Sequence, residues 1–377
     1  MSREKGIENI VKNRVVVNGA NGYVASNFIL ELLKNGYHVT ALVRKKGQES
    51  ARDRMKNVLV EMNEGDDIAF DKLEVFDYSL FEENFKLPGE LLTQIFGGNI
   101  HYFHFAASLK FDISSKEEIF GTNLQGVTNS IETFLKYTGT ASRFYFVSTA
   151  YSCGKHDGVF MEQFYEDAGI EAFRNYYEQS KRCAENLIKK YIDDKGLNAC
   201  ILRISQIVGN RETGVAKTDY GIFDFAKRIQ RIAQQNPGIT LRLQIDPEST
   251  QNLLPVDTLV DYFMQIIAAE DVPVILNIVS KSPVKNAVIL KSLEDSLPVN
   301  LVADMNLQLD KMTRIERIIA VGMSFTGAYI NINPNFSTEN LDHLIHKAPP
   351  NVTSEEINKM IAYFLNRRDE LKMKITG

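Results

Sequence analysis

The stretch RVVVNGANGYVA, residues 14–25, decides the fold. A short β-branched run ends in Asn18-Gly19. Ala20-Asn21-Gly22-Tyr23-Val24-Ala25 then leads into NFILELLKNG (27–36), which has helical spacing and closes on Gly36 as its stop. The glycine spacing is G-x-x-G-x-x-A. Gly19 permits a tight turn off the strand, Gly22 lets the backbone approach a pyrophosphate, and the small Ala25 allows helix to pack closely on strand. The helix N-terminus offers free N–H groups and the positive end of its dipole to phosphates.

Outward from that stretch the chain alternates strand-like and helical runs. YHVTALVR (37–44), DKLEVFD (71–77), NIHYFHFAAS (99–108), SRFYFVST (142–149) and LNACILRISQIVG (197–209) read as strands. A polar stretch from Gln48 to about Asn63, GTNLQGVTNSIETFLKYTG (121–139) and RNYYEQSKRCAENLIKKYIDDKG (174–196) read as helices. Such βαβ units, with right-handed crossovers, give an α/β, doubly wound parallel-sheet Rossmann domain with both faces covered. After about Gly238 the rhythm changes. TLRLQI (240–245), VDTLVDYFMQIIAAE (256–270) and PVILNIVS (273–280) remain α/β in character, whereas the pattern from Ser282 is more helical and irregular. Thr353 or Ser354, followed by Glu355 and Glu356, opens the last helix. The expected division is 1–240, a nucleotide-binding domain carrying the catalytic residues, and 241–377, a smaller, mostly helical substrate domain partly interleaved with the first.

The 377 residues are 44% hydrophobic and 24% charged, which excludes disorder, collagen or coiled coil as the main class. A net charge of −5 provides no basic footprint for nucleic acid. Cys153, Cys183 and Cys200 form no C-x-x-C pair, so no disulfide framework or metal site is expected, and a reducing, cytoplasmic setting is. The opening MSREKGIENIVKNR lacks the apolar core of a secretory signal, and no apolar run reaches the roughly 18 residues of a spanning helix. The nearest, IIAVGMSFTGAYI (318–330), reads as a buried element of the C-terminal domain in preference to a lipid-contacting one.

The end of the second strand speaks to the nucleotide. NAD sites place an acid there for the ribose 2′-OH. Leu42-Val43-Arg44-Lys45-Lys46 has none, and Arg44 suits a 2′-phosphate, which favours NADP (NADPH) over NAD. Asp77, ending the third strand, stands where a carboxylate can accept from an adenine amino group. Farther on, Tyr177 and Lys181 lie four apart on one helix face. A nearby ammonium favours the phenolate, so Lys181 is expected to lower the Tyr177 pKa and to hold the nicotinamide ribose. Thr149 and Ser148, about 28 residues earlier, end the fifth strand and can hydrogen-bond a substrate carbonyl. Tyr176 faces about 100° away. His101 and His104 alternate with aromatics and read as core histidines. Cys153 with His156 hints at a nucleophile pair for which this chemistry has no need.

Together these residues resemble the extended short-chain dehydrogenase/reductase superfamily: the Gly19/Gly22/Ala25 loop, Asp77, Ala106-Ala107, Asn123, Thr149, Tyr177 and Lys181 fall in its order over roughly residues 12–280. The resemblance implies a catalytic set of Thr149, Tyr177 and Lys181. It implies cofactor contacts at Gly19, Asn21, Gly22, Tyr23, Val24, Arg44, Asp77, Ala106, Ala107, Lys181 and Ile204, and a supporting role for Asn123 beneath the active-site strand. Further stretches are similar to one branch, the fatty acyl-CoA reductases and terminal thioester reductase domains: HFAASLKFD (104–112), FVSTAYSCG (146–154), LRISQIVGNRETGVAKTD (202–219), LLPVDTLVDYF (253–263) and GAYININPNFSTENLD (327–342). Three positions depart from the branch. Asn18 replaces a usual threonine, Ile204 a common proline and Ser337 a usual aspartate.

That likeness implies NADPH-dependent reduction of an acyl thioester to an aldehyde, or on to the alcohol, with acyl-CoA or an acyl-carrier protein delivering the substrate. The same residues would serve a ketone or hydroxysteroid-type dehydrogenase or a sugar-nucleotide epimerase. A redox sensor that holds NADP without turnover is the non-enzymatic alternative, and the Tyr–Lys pair argues against it.

Overall fold

The computed structural model describes residues 13–63, 65, 67–322, 324–346 and 351–376, so most of the segment read for a secretory signal lies outside the described residues. The chain divides into two compact units. The first runs to Ile204 and takes in Val260–Ile278 and Phe336–His346, and the second comprises Ser205–Leu259, Val279–Asn335 and Lys347–Gly377. The sequence-based boundary at residue 240 therefore falls inside the second unit, because the chain leaves the main sheet as early as Ser205.

The first unit holds β1 (Arg14–Asn18), α1 (Tyr23–Lys34), β2 (His38–Val43), α2 (Ala51–Met62), β3 (Leu73–Asp77), α3 (Gly89–Phe96), β4 (His101–His104), α4 (Gly126–Tyr137), β5 (Arg143–Thr149), α5 (Tyr176–Lys195) and β6 (Ala199–Ile204). Helix α6 (Val256–Ala268) brings the chain back, and β7 (Ile275–Ile278) completes a seven-stranded sheet in the order β7-β6-β5-β4-β1-β2-β3. Every pairing is parallel. Val15, Val16 and Val17 are all buried, as a strand covered on both faces requires. Helix α1 buries Ala25, Phe28, Ile29, Leu32 and Leu33 along one stripe. It stops where Gly36 turns to a φ of +83°, with Gly36 N–H donating to Leu33 O and Tyr37 N–H to Leu32 O, both at 3.0 Å. Strand order reverses between β1 and β4, so the crevice beyond their C-terminal ends is the switch point at which such sheets bind ligands.

The run 197–209, read as one strand, is two. Ala199–Ile204 stays in the main sheet, while Gln206–Val208 pairs with Leu253–Pro255 in the second unit. That unit packs helices Ile222–Gln235, Asn286–Ser296 and Ser354–Thr376 around Phe223, Ile229, Leu241, Leu293, Ile357 and Ile361. A parallel pair of strands, Ile239–Leu243 and Val299–Ala303, belongs to it as well. The last helix opens on a reciprocal cap: Thr353 N–H donates to Glu356 Oε2 at 2.8 Å, and Glu356 N–H to Thr353 Oγ1 at 3.2 Å. In the segment 318–330, expected to be buried, Ile319, Tyr329 and Ile330 are buried but Ile318 and Val321 are exposed, so only one side of it faces the core. Among the described residues no helix is long and apolar enough to cross a membrane.

Candidate active site

At the end of β1 the chain turns at Gly19 with a φ of +61°. A Cβ there would sit 2.7 Å from the Ala106 backbone nitrogen, so this crossing of the first and fourth strand ends admits only glycine. Gly22 N–H closes the turn on Gly19 O at 3.0 Å, and Gly22 caps α1 without a side chain. The first turn of α1 carries no acid, and Gly22 is exposed, so the positive end of the helix dipole faces an uncrowded turn. This cradle fits a dinucleotide pyrophosphate. Asn18 explains its departure from threonine. Its buried Oδ1 accepts from Phe105 N–H at 2.9 Å and Ala106 N–H at 3.1 Å. Its Nδ2 donates to the Tyr102 hydroxyl at 2.8 Å and lies 2.9 Å from His104 Nδ1. One amide thus ties the glycine turn to the Ala106-Ala107 turn.

Arg44 and Lys45 are exposed at the end of β2. Asp77 Oδ1 accepts from Lys45 N–H at 2.9 Å, joining the ends of β2 and β3. Tyr78 is a residue that sequence reasoning missed. Burial pushes its phenol up to about 12, against a backbone hydrogen bond from Gly19 and the charge of Arg44, so its hydroxyl lies at the glycine loop. An aromatic directly after a strand-end acid was the available signal.

Thr149 ends β5, and its Oγ1 accepts from Tyr151 N–H at 3.2 Å, leaving its own hydroxyl proton to donate. Ser148, expected with Thr149 to reach a substrate carbonyl, is committed elsewhere: its hydroxyl donates to Glu185 at 2.6 Å. Helix α5 is capped by Asn175, whose Oδ1 accepts from Glu178 N–H at 3.0 Å, so the helix begins immediately before Tyr177. The Tyr177 ring packs edge-on to Phe111 at 5.4 Å, whereas Tyr176 meets Phe120 and Lys116 instead. Lys181 is 3% exposed; its Nζ donates to Val147 O at 2.9 Å and lies 4.6 Å from the Phe146 ring centre. Burial lowers its pKa to about 7, with Glu185 acting against that.

The expectation that Lys181 lowers the Tyr177 pKa is corrected here. Burial, followed by the charge of Glu178, raises it well above 10, and the ammonium is directed at the Val147 carbonyl, 5.9 Å from the Tyr177 ring centre. Tyr177 is therefore a protonated phenol. Asn123 lies in a π-helical turn, Gly121–Gln125. It accepts from Ser108 N–H at 2.8 Å and donates to Ser180 Oγ at 2.8 Å, linking the turn after β4 to the helix that carries Tyr177 and Lys181. His104 is fully buried, and burial followed by the Lys181 charge takes it down to about 3, which makes it a neutral core residue. Burial pushes the Cys153 thiol up to about 12, and His156 packs edge-on against Tyr165 and Phe160, so they form no nucleophile pair.

A parallel sheet, a glycine cradle at its switch point and a Tyr–Lys helix beside a threonine strand end are the marks of the extended short-chain dehydrogenase/reductase type. More particularly, the chain belongs to the family described as male sterility protein, whose profile matches residues 17–263. It is 26% identical over 261 residues to the L-2-aminoadipate reductase large subunit of Eremothecium gossypii, covering 64% of this chain and 18% of that one. Among solved structures, the terminal R domain from the myxalamid PKS-NRPS biosynthetic pathway superposes with a TM-score of 0.75 at 15% identity, covering 95% of this chain and 91% of that one. The UDP-glucuronic acid 4-epimerase of Bacillus cereus in complex with NAD superposes at 0.63 and 17% identity, covering 93% and 96%. The chain spans less than two thirds of the curated relatives it matches, 18% of the aminoadipate reductase subunit and 59% of the vestitone reductase of Medicago sativa.

Proposed function

We propose that the chain reduces acyl thioesters, CoA- or carrier-bound, to aldehydes with NADPH. The catalytic residues in this reading are Thr149, Tyr177 and Lys181. Gly19, Asn21, Gly22, Tyr23, Val24, Arg44, Asp77, Ala106, Ala107, Lys181 and Ile204 hold the nucleotide, and the second unit chooses the acyl group. The observation that carries the reading is the placing of the Tyr177 phenol and the Lys181 ammonium on one face of α5, 5.9 Å from ring centre to Nζ, since carbonyl reduction needs an acid in place beforehand.

NADPH, when bound, supplies the hydride. The Thr149 and Tyr177 hydroxyls donate to the carbonyl oxygen as it gains negative charge. Tyr177 passes its proton to that oxygen, and the Lys181 charge stabilises the phenolate left behind. The hemithioacetal then collapses to aldehyde and free thiol. Exposed Arg44, with no acid at the end of β2, supports NADPH over NADH. The aminoadipate reductase relative and the R-domain fold support a thioester over a sugar nucleotide.

Mass spectrometry of products from NADPH and a panel of acyl-CoA and acyl-carrier thioesters tests this reading. Aldehyde or alcohol with free thiol is expected. Epimerisation of a UDP-sugar on retained NAD, with no thioester consumed, would overturn it.

A further inference from the structure

A buried charge cluster lies one helical turn past Lys181, and the chemistry above does not use it. Helix α5 sets Tyr177, Lys181 and Glu185 at four-residue steps on one face. Glu185 and Arg203 are both 0% exposed. Glu185 Oε2 accepts from Arg203 Nη2 at 2.6 Å and Nε at 3.1 Å. Oε1 accepts from Ser148 Oγ at 2.6 Å and Ser152 Oγ at 2.9 Å. Those two serines bracket Thr149, one before it on β5 and the other in the turn Ala150–Cys153. Arg203 is the register partner of Ser148, and it also donates to Met161 O at 3.1 Å and Gln163 O at 3.0 Å.

Desolvating such a pair offsets most of its attraction, so stability alone gives little reason to bury it. Its hydrogen bonds converge on the strand end that carries Thr149 and on the helix that carries Lys181. We propose that Glu185 and Arg203 are positioning residues: one carboxylate grips both sides of the Thr149 turn and serves as the counter-charge of Lys181. Among the described residues, the other groups facing Lys181 are Tyr177 on its own helix, the Val147 carbonyl on β5, and His104 on β4, which is held neutral. Arg203 and Arg182 lie around Glu185, and the charge of Glu178 acts on Tyr177. Glu185 is the group that opposes the burial of the ammonium.

The inference takes the role of Lys181 from the reductase reading, and its test separates the two. Glu185→Gln, Arg203→Met and the double variant are made in the full chain, each with and without Lys181→Met. In cofactor-free protein the unfolded lysine stays protonated through neutral pH. Stability relative to the Lys181→Met counterpart therefore rises as pH passes the folded-state midpoint of Lys181. Chemical denaturation between pH 5.5 and 10 reads that midpoint, and NADPH fluorescence titration over the same range gives an independent measure. Glu185→Gln should move the midpoint down by about one pH unit and Arg203→Met, acting through the Glu185 charge it offsets, should move it up by about a third as much. Should Glu185→Gln fail to fold, the double variant, with its neutral pair, carries the lower midpoint. Unchanged midpoints in all variants would overturn the inference and leave the pair as scaffolding. Midpoints that move as stated in a protein that reduces no thioester would sink the reductase reading alone.

Discussion

The two ends of the active site are held by opposite means. At the nucleotide end, position is set by missing side chains: Gly19 passes so close to Ala106 that a single Cβ would meet its nitrogen at 2.7 Å. At the catalytic end, position is set by buried charge: Glu185 and Arg203 grip the Thr149 turn, and Lys181 is directed by the Val147 carbonyl. A steric device tolerates no addition, whereas an electrostatic one tolerates no uncompensated loss. The difference follows from what each end must do. One has to admit a large anion along backbone, and the other has to keep a phenol protonated and an ammonium charged in a dry place.

The comparison can be sharpened from the strongest expected effect to the weakest. Tyr177→Phe should lower the single-turnover rate of NADPH oxidation with an acyl thioester by about 10²–10⁴-fold while leaving NADPH affinity within about twofold. Gly19→Ala combines a positive φ with the backbone clash, so NADPH affinity by fluorescence titration should fall about a hundredfold. Asn18→Ala leaves the Phe105 and Ala106 N–H groups without their acceptor, and denaturant unfolding should show a loss of about 2 kcal/mol. Arg44→Ala should weaken NADPH about tenfold and NADH hardly at all. If Gly19→Ala bound NADPH like the parent, the steric account of the nucleotide end would fail.

How much of this could be read in sequence follows the same division. The glycine turn and the Tyr177–Lys181 spacing are local in the chain, so their geometry follows from strand, turn and helix periodicity. The Glu185–Arg203 pair depends on β5 lying against β6 with Ser148 opposite Arg203, a register that the sequence does not state. Asn18 read as a departure until the turn after β4 was seen to bring two N–H groups to its oxygen. In the run 197–209 a lone Ser205 is too weak a turn signal to divide the strand, so its division came from the pairing of Gln206–Val208 with Leu253–Pro255. The direction of the Tyr177 pKa was misjudged because spacing along a helix reports a neighbouring charge and is silent on burial.

The central claim is that this site delivers hydride to a thioester carbonyl with Tyr177 as acid. NADPH carrying deuterium at the transferred position, incubated with the full chain and an acyl-CoA panel, tests it most directly by mass spectrometry. The account predicts one deuterium at C1 of the aldehyde, or two at C1 of the alcohol, with one free thiol per acyl group. Unlabelled thioester recovered in full, alongside deuterium delivered to a ketone or to no substrate at all, would contradict it.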